Sequence, residues 1–541
     1  MPERLPVRLG DSTLHVVPEA DEAGGPDAIL PGFGGTLRDG LGVLAGRGGV
    51  ELAIVGGLVL DPLLGVRRTS IGISDGRIVS IGRAGNPDTM DGVGVVLDSG
   101  TAILDATGMV VTPGAIDPHV HWLSPQVTDA ALASGVTTLV IQDYGPVWNL
   151  GCNPGEGLAT TWAALEAVPV NAALLARASS VPTRAEEALR RGAAGLKIHE
   201  DVAAGPEQIR VALELCERHD VQLAIHTDGL NEALGVADTL AAFAGRTVHA
   251  FHIEGAGGGH APDLLRLAGE PNVLTSSTTP TVPFGAGAEA EHLEMISAVH
   301  VLDPRRRAGD ARAVRLRVRP STMAAEGVLH DLGVIPMLSS DSQGMGRIGE
   351  VVRRAFQNAD WMKRVRGPEP GPADNERVLR HLAKLTVNVA IAHGLAGHVG
   401  SLLPGRLADA VLWQPHQFGV RPELVVKSGI AAWGASGDGN ATTMLCEPTR
   451  IARQVGALGA APARLSLAFL AEASLDAELP TSRPRAKVEG CRGLGAADMI
   501  RNTRRGAVRV DPRTHAVTLD GEPVAAPPVR DLALSGRYLL G

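Results

Sequence analysis

Aromatic residues are scarce in this chain, 3% of 541, whereas 67 Gly and 36 Pro make turns and loops numerous. No long basic run occurs, and 50 Lys and Arg against 59 Asp and Glu leave a net charge of −9. That balance excludes nucleic acid or an anionic membrane as the main partner. No uninterrupted apolar span reaches membrane length, and the opening MPERLPVRLGD has no apolar signal core, so neither a span nor a secretory leader is expected. The four cysteines (Cys152, Cys216, Cys446, Cys491) stand far apart and form no C-x-x-C pair. A reduced, cytoplasmic setting is the expectation. The length exceeds a single ordinary domain and suffices to bury large cores.

Three textures follow one another. From about 50 to 112, apolar residues alternate between D-G and G-G turns, as in VELAIVGGLVLDP and RTSIGISDGRIVSIG, which predicts a β-rich domain starting within 1–113. Short apolar strands then alternate with helical stretches such as TRAEEALRRG and GPEQIRVALELCERHD. Eight strand candidates are AIDPHVHW (115–122), TTLVIQD (137–143), NAALLAR (171–177), GLKIHED (195–201), QLAIHTD (222–228), VHAFHIEG (248–255), NVLTSST (272–278) and VIPMLSSD (334–341). Eight such units predict an α/β fold, a (β/α)8 barrel over 114–398, with reactive groups at the carboxyl ends of its strands. β texture returns over 399–450, so the first domain, a β-rich sandwich, is expected to be completed there. Residues 451–541 read as a mixed extension ending in the hairpin-like AVRVDPRTHAVTLDGEPV.

Within GAIDPHVHWLSPQ, His119 and His121 are two apart, and a strand would send both imidazoles from one face. Two neutral nitrogens so placed can hold a metal ion; the competing reading is a satisfied pair in a polar turn. Further metal-competent groups stand at other strand ends: Lys197 on the fourth, His226 on the fifth, His252 on the sixth and Asp341 on the eighth. Their spread over five strands favours a metal site, because a barrel brings such ends together. Four imidazoles and one carboxylate supply N and O ligands for two divalent ions. A lysine ammonium would repel them. An uncharged amine, favoured by burial beside metal, can instead react with CO2 to give a two-oxygen carbamate able to span both cations; the competing reading of Lys197 is a plain salt-bridged lysine.

The segments GAIDPHVH, GLKIHED, LAIHTDGLNE, AFHIEGAGGGHAPD and MLSSDSQGMGRIGE resemble the amidohydrolase superfamily, and specifically the urease α (catalytic) subunit. The resemblance runs from ILPGFGGTLRDGLG to VEGCRGLGAADMIRN, with a shortened N-terminal leader. It implies a urease-type hydrolase converting urea to ammonia and carbamate at two nickel ions bridged by carbamylated Lys197. His226 and His252 would hold one ion, and His119, His121 and Asp341 the other. His199 would hydrogen-bond the substrate carbonyl, with Gly257 and Gly344 also lining the substrate site. His300 would be the general acid, oriented and tuned by Asp201 and Arg317. Urease β- and γ-type small subunits and nickel-delivery accessory proteins are the implied partners.

The chain departs from the family at several places. Val299 stands where a cysteine is usual, Pro320 where an arginine is usual, and Gly344 where an alanine is usual. The loop QDYGPVWNLGCNPG, with Trp148 and Asn149, is shorter and different. The arginines of DPRRRAGDARAVRLRVRP read as a solvated or subunit-facing surface. These changes keep open a binuclear amidohydrolase acting on a substituted urea, linear amide or cyclic amide, and, less favoured, a non-catalytic urease-like paralogue. The ligand types would also take zinc, iron or manganese.

Overall fold

The computed structural model describes residues 5–23, 46, 48–142, 155–199, 205–227, 235–255, 261–299, 301–442 and 446–535. Eight parallel strands form the predicted (β/α)8 barrel: β1 (Ala115–Val120), β2 (Val136–Ile141), β3 (Asn171–Arg177), β4 (Gly195–His199), β5 (Gln222–His226), β6 (Val248–Phe251), β7 (Val273–Thr278) and β8 (Met337–Ser339). Each pairs with the next in chain order. A parallel bridge between Val120 and Ser342 joins the ends of β1 and β8. These strands are buried on both faces, which is why they read as near-continuous apolar runs rather than as alternating ones.

The intervening helices follow the local signals. Pro206–His219 opens with proline in its first turn, where a missing N–H costs nothing, and ends at Asp220 in the left-handed region. Its Ile209, Leu213 and Cys216 are buried against the barrel. At about 1.5–3 kcal/mol for each buried large aliphatic, such a face outweighs helix propensity.

Strands β1, β2, β5 and β8 end two residues earlier than the sequence expectation and β6 four earlier; β6 and β8 depart furthest, each for a local reason. β6 stops at Phe251 because His252 adopts φ +49°, which leaves extended geometry. β8 is only three residues long and begins after Pro336, which has no N–H to give a ladder.

The segments before and after the barrel share one sheet of eleven strands. Leu52–Asp61, Gly65–Ser74 and Arg77–Gly85 form a meander, with Asp75 and Gly76 at φ +51° and +69° in the two-residue turn that D-G signals. Val110–Pro113 then pairs with Ala410–Trp413, beside which lie Leu424–Lys427, Ile430–Ser436 and Arg450–Arg453. A buried pair, Lys427 with Asp409, fastens this sheet to the barrel: Lys427 Nζ also donates to the Thr137 carbonyl, and Asn171 Nδ2 donates to Asp409 Oδ2 at 2.7 Å.

The C-terminal stretch is more integrated than its local pattern announces. Ala468–Leu470 pairs in parallel with the first half of β3, while β4 pairs with the second half, and Arg485–Lys487 lies outside it. The hairpin-like end is a three-stranded antiparallel sheet of Val508–Val510, Val517–Leu519 and Glu522–Pro523. Among the described residues, no helix is long and apolar enough to cross a membrane.

Candidate metal centre

Parallel register sets the layout. His199 on β4 pairs with His226 on β5, and His226 pairs with Phe251 on β6, so these groups share one level of the barrel. Lys197 lies two residues before His199, one level lower on the same face. His119 is the next-to-last residue of β1, with Asp117 two residues before it, and Asp117 Oδ1 accepts the backbone N–H of His119 at 3.2 Å and of Ser340 at 3.0 Å. One buried carboxylate therefore ties the first strand to the last. Burial pushes its pKa up to about 7, against the hydrogen bonds from Ser340 and His119.

Two candidate ligands leave their strands by left-handed residues. By strand alternation, His252 would face away from Phe251; its φ of +49° turns the imidazole back inward. Asp341 sits at φ +58°, and its carbonyl accepts the N–H groups of Gly344, Met345 and Gly346 at 3.1, 3.2 and 2.8 Å. Conformations of this kind cost about 1–3 kcal/mol each and persist only where the surroundings over-determine them.

The result is a closed ring of five imidazoles. Centroid separations are 5.2 Å for His119–His121, 6.0 Å for His121–His199 and 5.5 Å for His199–His226. The ring continues with His226–His252 at 4.6 Å and closes with His252–His119 at 5.2 Å. Asp341 reaches into it: Oδ1 lies 3.2 Å from His119 Nε2 and 3.3 Å from His121 Nε2, and Oδ2 lies 3.4 Å from His252 Nε2. Phe251 forms a floor, stacked on His119 at 4.1 Å, with Lys197 Nζ 4.1 Å from its ring centre.

Charge states suit a cation. Burial, then Lys197 and the neighbouring imidazoles, hold His119 well below its ordinary pKa, so it is neutral with a lone pair to give. Burial likewise lowers His252. Burial opposes ionisation of Asp341, yet His252, His121 and Lys197 keep it below the usual carboxylate range. Ligand atoms of His119, His121 and Asp341 all lie within 4.8 Å of one another, close enough to share one ion. His226 and His252, with ring centres 4.6 Å apart, offer imidazole nitrogens for a second ion, and Lys197 lies by them over the Phe251 ring. The donor set, buried and made of N and O atoms, fits divalent first-row metals.

Of the residues singled out from sequence, His119, His121, Lys197, His199, His226, His252 and Asp341 come together. Gly344 lies against them: a Cβ there would meet Asp341 Oδ1 at 2.3 Å and His121 Cδ2 at 3.0 Å. Arg317 is buried at the end of the helix Ala308–Arg317. His300, Asp201, Gly257 and the residues from 143 to 154 lie outside the described residues. Sequence reasoning passed over Asp117 and Phe251. Asp117 was legible by the same period of two, being two before His119; Phe251 was not, because alternation from its neighbour His252 puts it on the opposite face and only the left-handed backbone at His252 brings both inward.

Comparison with known proteins gives the same picture. Residues 110–442 match the model described as the Amidohydrolase family, and residues 5–104 match that of the Urease alpha-subunit, N-terminal domain. Over 541 residues the chain is 52% identical to urease subunit alpha 1 of Streptomyces avermitilis, covering 99% of this chain and 97% of that protein. Identity to urease subunit alpha 2 of Streptomyces coelicolor is 51% with the same coverage. A solved D-hydantoinase (dihydropyrimidinase) from Thermus sp. superposes with a TM-score of 0.51, covering 70% of this chain and 95% of its own, at 16% identity. That likeness concerns the fold alone.

Proposed function

Because the chain belongs to the urease α-subunit family of amidohydrolases, a group of hydrolases acting on C–N bonds of linear amides, we propose that it is the catalytic subunit of a urea-hydrolysing enzyme. His119, His121, His226, His252 and Asp341 would hold two nickel ions, Lys197 would carry a CO2-derived carbamate as a further ligand, and urea with one water would give ammonia and carbamate. The observation that carries this reading is the ring of five imidazoles around Asp341, with Lys197 on the floor beneath. The division of the chain that goes with it is a barrel over 114–398, a β-rich domain from 1–113 and 399–450, and an extension over 451–541.

The roles follow from position. His119, His121 and Asp341 serve one ion; His226 and His252 serve the other. When bound, such a pair polarises a carbonyl and acidifies water near neutral pH. Asp341 supplies negative charge inside a buried cup, and Asp117 keeps β1 and the Asp341 loop in register. Phe251 excludes water from the underside of Lys197. His199, partly buried and left over from the two ligand sets, offers an N–H to the urea oxygen, alongside backbone from Gly257 and Gly344. His300 delivers the proton that the leaving nitrogen needs, a contribution of about 10²–10⁴-fold in rate, with Asp201 and Arg317 holding it. The small β- and γ-type subunits and nickel-delivery proteins complete the assembly in the cytoplasm, a setting that suits the buried thiols of Cys216 and Cys491.

Gly344 favours one second reading. With no Cβ to hold them off, Asp341 and His121 sit closer to the Gly344 backbone than an alanine there would allow, and this departure from the family's usual residue is what keeps a substituted urea or another linear or cyclic amide as the second reading. Protein supplied with CO2 and nickel, alone and with small subunits of the family, decides between them. Two metals per chain with ammonia release from urea supports the first reading. Two metals with turnover only of N-substituted or cyclic substrates supports the second. Protein that binds no metal overturns both.

A further inference from the structure

Between β7 and β8 the chain builds a helical arch, Glu289–Val299 followed by Ala308–Arg317, before the helix Pro320–Asp331 returns it to the barrel. It leaves from the carboxyl end of β7, the same end that carries the imidazole ring. Two contacts join this arch to the loops of the metal centre. One is apolar: Met345, four residues beyond Asp341, packs with Ile296, Val314, Val318 and Met323, and its N–H donates to Asp341 Oδ2 at 3.2 Å. The other is Arg319, which is 3% exposed.

The Arg319 guanidinium donates to three backbone carbonyls. Nη1 serves Leu316, at the last turn of the arch; Nη2 serves Gly255 at 3.4 Å and Ala261 at 3.1 Å. Gly255 belongs to the turn that begins at His252, because its own N–H donates to the His252 carbonyl at 2.8 Å. That turn contains two left-handed residues, His252 at φ +49° and Gly255 at φ +85°. The guanidinium also fills the space a side chain at Gly255 would need, with Nη2 2.3 Å from the Cβ position. Glu254, buried in the same turn, feels the Arg319 charge.

We propose that Arg319 is a positioning residue that locks the arch to the His252 turn, so that the arch and one metal ligand hold their positions together. The planar fork makes this geometry available: arginine presents five N–H donors in a fixed plane, whereas a lysine ammonium is a point donor on a flexible stem. Losing the fork frees the Leu316 and Gly255 carbonyls together and removes what holds His252 in a strained conformation.

This inference rests on the metal-centre reading, and the test separates the two. Arg319→Lys and Arg319→Gln are prepared beside the unmodified chain and loaded with cobalt(II), whose visible spectrum reports the ligand set. Amide hydrogen exchange is followed over 301–318 and over the strands Leu52–Asp61 and Gly65–Ser74. The expected result has two linked parts: cobalt affinity by chelator competition falls about tenfold or more, the scale seen when partners of metal ligands are removed. Exchange over 301–318 accelerates about as much, while the two distant strands are unchanged. Change in only one of the two readouts overturns the proposal, since the arch and the ligand would then be independent. Faster exchange throughout the chain overturns it as well, making Arg319 general support for the fold. If the unmodified chain binds no cobalt, the metal-centre reading fails instead.

Discussion

A single phenyl ring closes the underside of the centre. Phe251 is fully buried, stacked on His119 and set beneath the Lys197 amine. Removing such a ring costs about 3–5 kcal/mol, because the cavity it leaves collapses only in part. Phe251→Ala is therefore expected to lower both the guanidinium midpoint of unfolding and the metal bound per chain. Phe251→Leu, which keeps most of the volume, should retain the metal. Elemental analysis of CO2-supplied protein checks this, and full metal content in the alanine variant would contradict the floor role. Thiols make a second case. Burial pushes Cys216 up to about 12 and Cys491 higher still, so neither offers a thiolate at neutral pH. Native protein treated with a maleimide should show no adduct at Cys216 or Cys491 by peptide mapping until it is unfolded; early labelling of either would refute their inertness.

At the next scale, loops and short strands matter more than the helices. The turn after β8 is wound so tightly that a Cβ on Gly346 would lie 1.8 Å from the Ser340 carbonyl oxygen. A backbone oxygen cannot rotate away as a side chain can. Gly346→Ala must therefore rebuild the turn that holds Asp341, with an expected loss of the metal shared by His119, His121 and Asp341. A cobalt spectrum identical to that of the unmodified chain would rule this out. The pairing of Ala468–Leu470 with β3 depends on Arg483, whose Nη1 donates to the Val170 carbonyl at 2.6 Å and whose Nη2 serves Leu165 and Val168. Burial lowers this guanidinium to about 10. Each carbonyl left buried without a donor costs about 1–3 kcal/mol. Arg483→Met should destabilise the protein by at least that much and speed amide exchange over 468–487 first; unchanged exchange there would count against the anchoring role.

Acid stability belongs to the whole molecule. Burial holds His381 and His393 at about 3, far below the ordinary 6.5 they recover on unfolding. Between those values the unfolded chain binds protons that the folded chain refuses. Stability is then complete above about pH 6.5 and falls by about 1.4 kcal/mol per pH unit for each such histidine as the pH drops toward 3. Metal-free protein should show this slope in its guanidinium midpoints, and His381→Gln should make it shallower by about one proton. An equal slope in that variant would show that His381 does not titrate on unfolding.

Much of this molecule was legible one residue at a time. Apolar runs between D-G, G-G and proline signals marked the strands, and period two put His119 with His121 and Lys197 with His199 on common faces. Short-range sterics and alternation act within a few residues, so the chain carries them by itself. Alternation failed where the backbone left it: His252 reaches the ring only through a left-handed turn, and Asp341 through another, both imposed by packing and hydrogen bonds from distant segments. The insertion of Ala468–Leu470 beside β3, the tie of Asp117 to Ser340 and the clasp of Arg319 on Gly255 likewise join residues 64 to nearly 300 positions apart. Such contacts cost loop entropy that burial offsets only once the barrel has closed, which is why local pattern named the candidate ligands and tertiary structure alone decided how they meet.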